Sequence, residues 1–164
     1  MNTAGGKAPE RPQVDAATEA RVRAERIAYL YRFPGRLFGN IVNAGLVVGV
    51  LWDELPDAIL LPWLGLMCAV TFGRYGLTLV YRRVAPGTSD SRWATLYMTG
   101  TCMAAALWGA ASSIVWVTPD PAFPVFIAFA IAGTSAAAVV MSQSHLPSVY
   151  GYLGFAVGPL AANL

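Results

Sequence analysis

Long apolar runs, separated by short polar segments, occupy most of the 164-residue chain. A transmembrane helix needs about 20 predominantly apolar residues. Five runs approach or exceed this length, the first being the shortest, and they lie at about 37–52, 58–81, 93–117, 123–141 and 146–164. The pattern predicts an all-α fold, a polytopic transmembrane helical bundle with five visible spans.

A more polar region precedes the first run. Residues 1–20 are expected to form a flexible cytoplasmic tail, and 21–164 to form the transmembrane bundle. Within 16–33 the spacing of apolar residues predicts a cytoplasmic amphipathic helix that lies in the membrane interface, with a face made of Val22, Ile27, Leu30 and Tyr31. A short cytoplasmic extension of the first span is the alternative. The sequence Phe33-Pro34-Gly35 is expected to end this helix.

The distribution of charge predicts the orientation. Only 12% of the residues are charged and 56% are hydrophobic, which excludes a disordered tail, a nucleic-acid-binding arm and an ordinary cytosolic enzyme. The chain has 11 Lys and Arg residues, and all of them except Arg74 lie before residue 37 or in the loop 82–92. The loops 53–57 and 118–124 carry none. Because cytoplasmic loops are enriched in Lys and Arg, we expect a cytoplasmic N-terminus.

The fifth run is still apolar at Leu164 and has no charged flank of the kind that anchors a final span. Five spans that start in the cytoplasm would also finish on the outside. We therefore expect that a sixth span is missing and that this chain is the front of a longer protein.

Small residues recur at four-residue spacing within the runs. The third run has Thr101, Ala105, Gly109 and Ser113 on one helical face, and similar stripes include Gly45 with Gly49 and Gly154 with Gly158. Small residues on one face let two helices approach closely in a membrane. The stripes predict tight packing within one chain, with a homodimer face as the alternative.

Arg74 is the only charged residue well inside a run, and Asn43 lies at about the same depth in the first run. A charged side chain in a membrane normally faces the bundle interior or reaches towards the headgroups. Arg74 and Asn43 are thus the first candidates for ligand binding or coupling, through an anionic ligand or a switchable contact between them. The alternatives are that Arg74 reaches the cytoplasmic headgroups or holds the first two spans together.

His145, the only histidine, is the second candidate for ligand binding or coupling. A haem held by two histidines would need a second chain, and a polar turn residue is the simpler interpretation. Met98 and Cys102 offer soft sulfur atoms that suit Cu(I), but both residue types also fill membrane cores. We therefore predict no cofactor and no metal. Known catalytic and phosphate-binding motifs do not occur in the sequence, so no enzyme activity is predicted.

The string RAERIAYLYRFPGRLFGNIVNAGLVVGVLW, residues 23–52, resembles the start of bacterial integral-membrane sensory domains of the MASE type. Further points of resemblance over residues 20–164 are Leu61-Pro62-Trp63-Leu64, Arg74 with Tyr81-Arg82-Arg83, Arg92-Trp93, and Leu107-Trp108-Gly109. Such domains precede GGDEF diguanylate cyclases, EAL phosphodiesterases or histidine kinases. The resemblance implies a six-helix input module in the bacterial inner membrane, connected to cyclic-di-GMP or kinase signalling. Because this chain has neither a GG(D/E)EF motif nor a phosphoacceptor histidine domain, any such activity would belong to other residues.

The preferred hypothesis is a membrane sensory module that passes a signal to a cytoplasmic output domain or partner. Its expected partners are the lipid bilayer, a second copy of the chain in a homodimer, and that output domain; no nucleic acid is expected. The alternative is a small accessory or structural subunit of a larger membrane complex. A transporter or membrane enzyme is disfavoured because the apolar runs contain no Asp or Glu.

Overall fold

The computed structural model describes residues 16–32, 34–116, 118 and 120–162. Within this part the secondary structure is entirely helical and no strand occurs, which confirms the predicted all-α class. The described part contains six α-helices, namely α1 (Ala16–Leu30), α2 (Phe38–Leu51), α3 (Asp57–Val84), α4 (Ser91–Val115), α5 (Ala122–Ser142) and α6 (Leu146–Ala162). A 3-10 turn at Pro34–Leu37 separates α1 from α2.

Helices α2 to α6 coincide closely with the five predicted runs. Helix α3 begins directly after Pro56, whose φ of −59° suits the entry to a helix. Helix α4 is capped by Asp90, whose carboxylate accepts the backbone N–H of Arg92 at 3.0 Å. Gly87, with a φ of 76°, turns the chain between these two helices in a conformation that glycine adopts without strain.

Three helices of the described part, α3, α4 and α5, are long and apolar enough to cross a membrane, which corrects the prediction of five such spans. Helix α2 has 14 residues and therefore a length of about 21 Å. The described part of α6 has 17 residues and reaches about 26 Å. Both are shorter than a hydrocarbon core of about 30 Å. The first run falls short because the 3-10 turn and the turn after Leu51 shorten its helix at both ends.

The outer surface of the helices is apolar. Phe129 on α5 is 74% exposed, Tyr150 on α6 is 70% exposed and Phe72 on α3 is 55% exposed. A surface with so many exposed large apolar side chains is unfavourable in water and suits a lipid environment. Together with the three membrane-length helices, it indicates a membrane protein.

Helix α4 lies at the centre of the bundle and packs most extensively against α6. Gly109 allows this close approach, because a Cβ atom there would overlap the backbone oxygen of Phe155. Thr101, Ala105 and Gly109 of the α4 stripe are buried within the chain, as predicted for intrachain packing. The glycine stripes of α2 and α6 face open space instead, and their members are Gly45, Gly49, Gly154 and Gly158.

Helix α1 docks on the end of the bundle that carries the α3–α4 loop and the α5–α6 turn. The hydroxyl of Tyr31 donates to the backbone oxygen of Trp93 at 2.7 Å. The side chain of Gln143 donates to the hydroxyl of Tyr29 at 3.1 Å. Because the 3-10 turn at Pro34–Leu37 separates α1 from α2, α1 is not continuous with the helix of the first run. It includes residues 16–20 of the predicted tail, whereas residues 1–15 lie outside the described part.

Candidate functional site

A cavity of about 360 Å³ lies inside the bundle, and residues from α2, α3, α4, α5 and α6 line it. We call it the Arg74 cavity. Its polar lining consists of Asn40, Asn43, Arg74, Tyr97, Thr101, Thr134, Ser142 and Tyr152. Small-molecule sites usually have volumes of about 300–1,000 Å³, and their walls combine apolar surface with a few polar groups. The Arg74 cavity has the size and the mixed lining of such a site.

The guanidinium of Arg74 is held against α4. Its Nη2 donates to the hydroxyl of Thr101 at 3.0 Å, and its Cζ lies 5.4 Å from the centroid of the Tyr97 ring. Arg74 and Thr101 lie equally far from the α3–α4 loop along two antiparallel helices. The guanidinium therefore stays at the level of Thr101 along the bundle and does not extend towards the α3–α4 loop. Its partners are on α4, so it does not tie α3 to α2 as one sequence-based alternative proposed.

Gly100 makes room for the Arg74 side chain. A Cβ atom at Gly100 would lie 2.8 Å from Cγ and 3.1 Å from Cδ of Arg74, closer than carbon atoms normally pack. The absence of a side chain at Gly100 thus lets the stem of Arg74 run along α4 towards Thr101. Sequence reasoning missed this residue, because it lies outside the four-residue stripe and nothing in the linear sequence relates it to Arg74.

The positive charge of Arg74 has no anionic partner among the described residues. No Asp or Glu lines the Arg74 cavity, and the one ion pair in the described part joins Arg21 to Glu25 on exposed α1. The Nε atom of Arg74 is buried and has no hydrogen-bond partner among the described residues. A hydroxyl and an aromatic face stabilise a cation only in part, and a buried charge without a counterion is unfavourable in a membrane. The site is therefore suited to accept a negative charge.

The two asparagines of α2 differ in their contacts. Asn43 lines the same cavity as Arg74, so the structure brings together the two residues that the sequence placed at equal depth. Its carboxamide makes no hydrogen bond with the described residues, and the guanidinium of Arg74 bonds to Thr101 instead. Asn40, by contrast, accepts from Nε1 of Trp108 at 2.8 Å and donates to Sδ of Met67 at 2.9 Å. Asn40 joins three helices, whereas the carboxamide of Asn43 is available to a ligand.

This difference predicts opposite outcomes for two matched substitutions. Asn40→Ala leaves the buried indole N–H of Trp108 without its acceptor, and we expect it to lower the free energy of unfolding by about 1–3 kcal/mol. Asn43→Ala removes a carboxamide that no described residue binds, and we expect a change within about 0.5 kcal/mol. Equilibrium unfolding in mixed micelles of rising SDS content, followed by circular dichroism, measures both. Equal losses for the two variants would contradict the assignment.

Four aromatic residues connect the cavity to α1, and we call them the aromatic cluster: Tyr31, Tyr81, Trp93 and Tyr97. The rings of Tyr31 and Tyr97 make an edge contact with centroids 5.8 Å apart, and Tyr31 stacks on Tyr81 at 4.3 Å. Tyr97 also lines the Arg74 cavity and lies beside the guanidinium. Tyr97 thus contacts both the cavity and the end of α1.

His145 lies apart from Arg74 and Asn43. It lines a different cavity of about 240 Å³ at the docking surface of α1, together with Arg23 and Arg26. Its Nδ1 and the hydroxyl of Ser148 are 2.8 Å apart, a contact that supports the first turn of α6. The geometry therefore gives His145 a place in the α5–α6 turn and does not join it to the other two candidate residues.

Partial burial lowers the pKa of His145 below its ordinary value of 6.5, because desolvation disfavours the imidazolium form. A group with a lowered pKa in the folded state contributes stability above its unfolded pKa, and this stability is lost as the pH falls through the folded pKa. We therefore expect the thermal unfolding midpoint to decrease as the pH is lowered from 7 through 6.5 and below. His145→Gln should flatten this part of the profile above the range where carboxylates titrate. An unchanged pH profile in the variant would exclude the effect.

One of the two sulfur atoms considered for copper has a packing contact. Sγ of Cys102 lies where α4 meets α6, 2.7 Å from the position that a Cβ of Gly151 would take. In the described part of the chain, no three His, Cys, Asp or Glu residues cluster as metal ligands would.

Comparison of the chain with family models, with curated proteins and with solved structures returned no match. The resemblance to MASE-type sensory domains therefore stays a prediction from the sequence. The geometry of the Arg74 cavity and of the aromatic cluster carries the functional argument.

Proposed function

We propose that this chain is a membrane-embedded sensory input module that passes a signal from the Arg74 cavity to α1, and from α1 to a cytoplasmic output domain or partner. The observation that carries the proposal is the double contact of Tyr97. Its ring lies beside the guanidinium of Arg74 on one side and against Tyr31, at the end of α1, on the other. A change in the charge or position of Arg74 therefore acts directly on a residue that holds α1.

The contacts of Tyr31 give the signal a way to move α1. The hydroxyl of Tyr31 donates to the backbone oxygen of Trp93 on α4. The backbone oxygen of Tyr31 accepts a hydrogen bond from Nε of Arg82 at 3.3 Å. The adjacent backbone oxygen of Arg32 accepts from Nη2 of Arg82 at 2.5 Å. The end of α1 is thus held by a few hydrogen bonds around one buried ring. Such an attachment can shift between two arrangements when its ring contacts change.

The proposal also assigns a place in the membrane. Helices α2 and α6 pack against α3 and α4, so all five lie in the bilayer, with the lipid adapting to the two shorter helices. The end that carries α1, Arg82, Arg83 and Arg92 is basic and faces the cytoplasm of a bacterial cell. A homodimer in the inner membrane would bring two output domains together.

Hydrogen exchange of the α1 amides tests the coupling. In nanodiscs, Arg74→Leu removes the cation from the Tyr97 ring, and we expect α1 to exchange faster by about threefold or more because Tyr31 loses a fixed neighbour. In a background that already carries Tyr97→Leu, the same Arg74→Leu change should have no further effect on α1. This double-mutant cycle isolates the contact between the two residues. Unchanged exchange of α1 in Arg74→Leu would refute the proposed route.

The intact mass of the product expressed from its own chromosomal locus, and the proteins that co-purify with it, test the output. A fused signalling domain, or a signalling partner that binds substoichiometrically, supports the sensory function. A mass near 17.4 kDa together with a stoichiometric membrane complex would instead assign the chain as an accessory subunit.

A further inference from the structure

We propose that the Arg74 cavity binds a carboxylate-bearing amphiphile taken from the bilayer, with the carboxylate on Arg74 and the hydrocarbon chain in an opening between α2 and α5. The inference deepens the proposed function, since it takes the sensing cavity as its site. It names the chemical class of the ligand, and binding can be measured whether or not α1 responds.

The positive charge in the cavity favours an anionic ligand. Among the described residues that line the cavity, Arg74 carries the single formal charge, and its contacts with described residues are neutral. One bound monoanion would balance it. A planar guanidinium presents two parallel N–H groups to a carboxylate, which makes a stronger pair than a neutral hydrogen bond. Asn43 lines the same cavity, and its carboxamide, which makes no hydrogen bond with the described residues, offers such a ligand a further donor.

The opening of the cavity favours a ligand that enters from the bilayer. Gly133 and Ala137 of α5 line the cavity and are nevertheless exposed, as is Gly39 of α2. A Cβ atom at Gly39 or Gly133 would meet no atom within 4 Å. The cavity is therefore open on the side that these small residues of α2 and α5 line. Because this side of the bundle faces lipid, an amphiphile can enter with its chain still in the bilayer.

The single cation and the apolar wall of the opening favour a carboxylate that carries a hydrocarbon chain. A phosphate monoester carries up to two negative charges near pH 7, and the second would lack a cation among the described residues, since Arg74 is the one Lys, Arg or His among them that lines this cavity. A carboxylate carries one. The opening is flanked by Phe129, which is 74% exposed, and by Ala130, which together offer an apolar wall to a hydrocarbon chain. A small hydrophilic acid would gain nothing from that wall.

The experiment uses octanoate labelled with ¹³C at its carboxyl carbon as the probe. The full chain is placed in nanodiscs of zwitterionic phosphatidylcholine, and a second carboxyl resonance, absent from empty discs, is titrated to give an affinity. We expect octanoate to bind. We also expect 1-octanol, acetate and octyl phosphate to compete at least tenfold more weakly than unlabelled octanoate.

Three variants locate the binding. Arg74→Leu should weaken octanoate binding by at least tenfold through loss of the charge. Gly133→Leu fills the opening while Arg74 stays in place, and it should weaken binding by a similar factor. Gly154→Leu is the matched control, because Gly154 also faces open space but lies on α6 outside the cavity lining. It should bind octanoate like the unsubstituted chain.

Several results would overturn the inference. They are a spectrum identical to that of empty discs, equal binding by Arg74→Leu, and stronger competition by octyl phosphate. Acetate that competes as well as octanoate would assign the site to a water-soluble acid and would also reject the amphiphile. None of these outcomes bears on the α1 exchange of the Arg74→Leu and Tyr97→Leu variants, which is measured without octanoate. Failure of the ligand class and failure of the proposed function are therefore distinguishable.

Discussion

Gly109→Ala is expected to lower the free energy of unfolding of the bundle by about 1–3 kcal/mol, since overpacking of a tight interior has effects of this size. The new Cβ would overlap the backbone oxygen of Phe155 and would lie 2.9 Å from Cγ of Pro159. Neither atom belongs to a flexible side chain, so α4 and α6 must move apart. These two helices form the most extensive contact of the bundle, which makes this the most sensitive position for a single methyl group.

Gly154→Ala is the control for this substitution. Gly154 lies on α6 next to Phe155, and a Cβ there meets no atom within 4 Å. Since alanine favours a helix over glycine by up to about 1 kcal/mol, the control should leave the stability unchanged or raise it slightly. SDS unfolding of both variants, followed by circular dichroism, gives the comparison. A Gly109→Ala variant as stable as Gly154→Ala would show that the two helices are not in close contact at this point.

The positions of the helices could be predicted from the apolar runs, and local signals mark where two of the helices begin. Pro56 precedes α3, and Asp90 caps α4. The number of membrane-length helices could not be predicted in this way. The length of α2 depends on the 3-10 turn at Pro34–Leu37, and apolar composition does not show that turn. An apolar run therefore gives an upper limit for the length of its helix.

Their positions along the apolar runs predicted that Arg74 and Asn43 lie at about the same depth, and both residues line the same cavity. These positions could not give the hydrogen-bond partner of Arg74. That partner, Thr101, depends on how α3 and α4 are rotated about their axes, and depth along a helix carries no information on rotation. The sequence predicts Thr101 only as a small residue of a packing stripe, although its hydroxyl oxygen also accepts a hydrogen bond from Nη2 of Arg74.

The docking of α1 was beyond sequence reasoning for a different reason. It depends on backbone acceptors: the oxygen of Trp93 for Tyr31, and those of Tyr31 and Arg32 for Arg82. Every residue has a backbone oxygen, so no residue pattern identifies which one is used. The role of the surrounding aromatic residues, which connect the cavity with α1, is visible only from their packing.

Arg74→Leu is expected to raise the free energy of unfolding by about 1–3 kcal/mol, although it should also free α1 locally. Replacing a buried ion pair by apolar side chains is often neutral or stabilising by about 1–4 kcal/mol, and a charge inside the bundle without a counterion has no Coulombic attraction to lose. The change leaves no orphaned partner behind, because the hydroxyl of Thr101 still donates to the backbone oxygen of Tyr97 at 2.8 Å. The buried Nε of Arg74, which has no partner among the described residues, disappears with the guanidinium.

The sign of this effect separates a structural arginine from a site arginine. If Arg74 served mainly to hold α3 against α4 through Thr101, its removal would lower the stability measured by SDS unfolding. If the uncompensated guanidinium is kept for an anionic ligand, its removal raises the stability and weakens ligand binding by at least tenfold. Arg74→Lys supplies the control, because it keeps the charge without the planar pair of N–H groups and should give no gain in stability. In the ligand-free bundle, Arg74 leaves an unfavourable unpaired charge, and a bound anion would offset it. Anion binding would therefore explain why an arginine that destabilises the ligand-free bundle occupies this position.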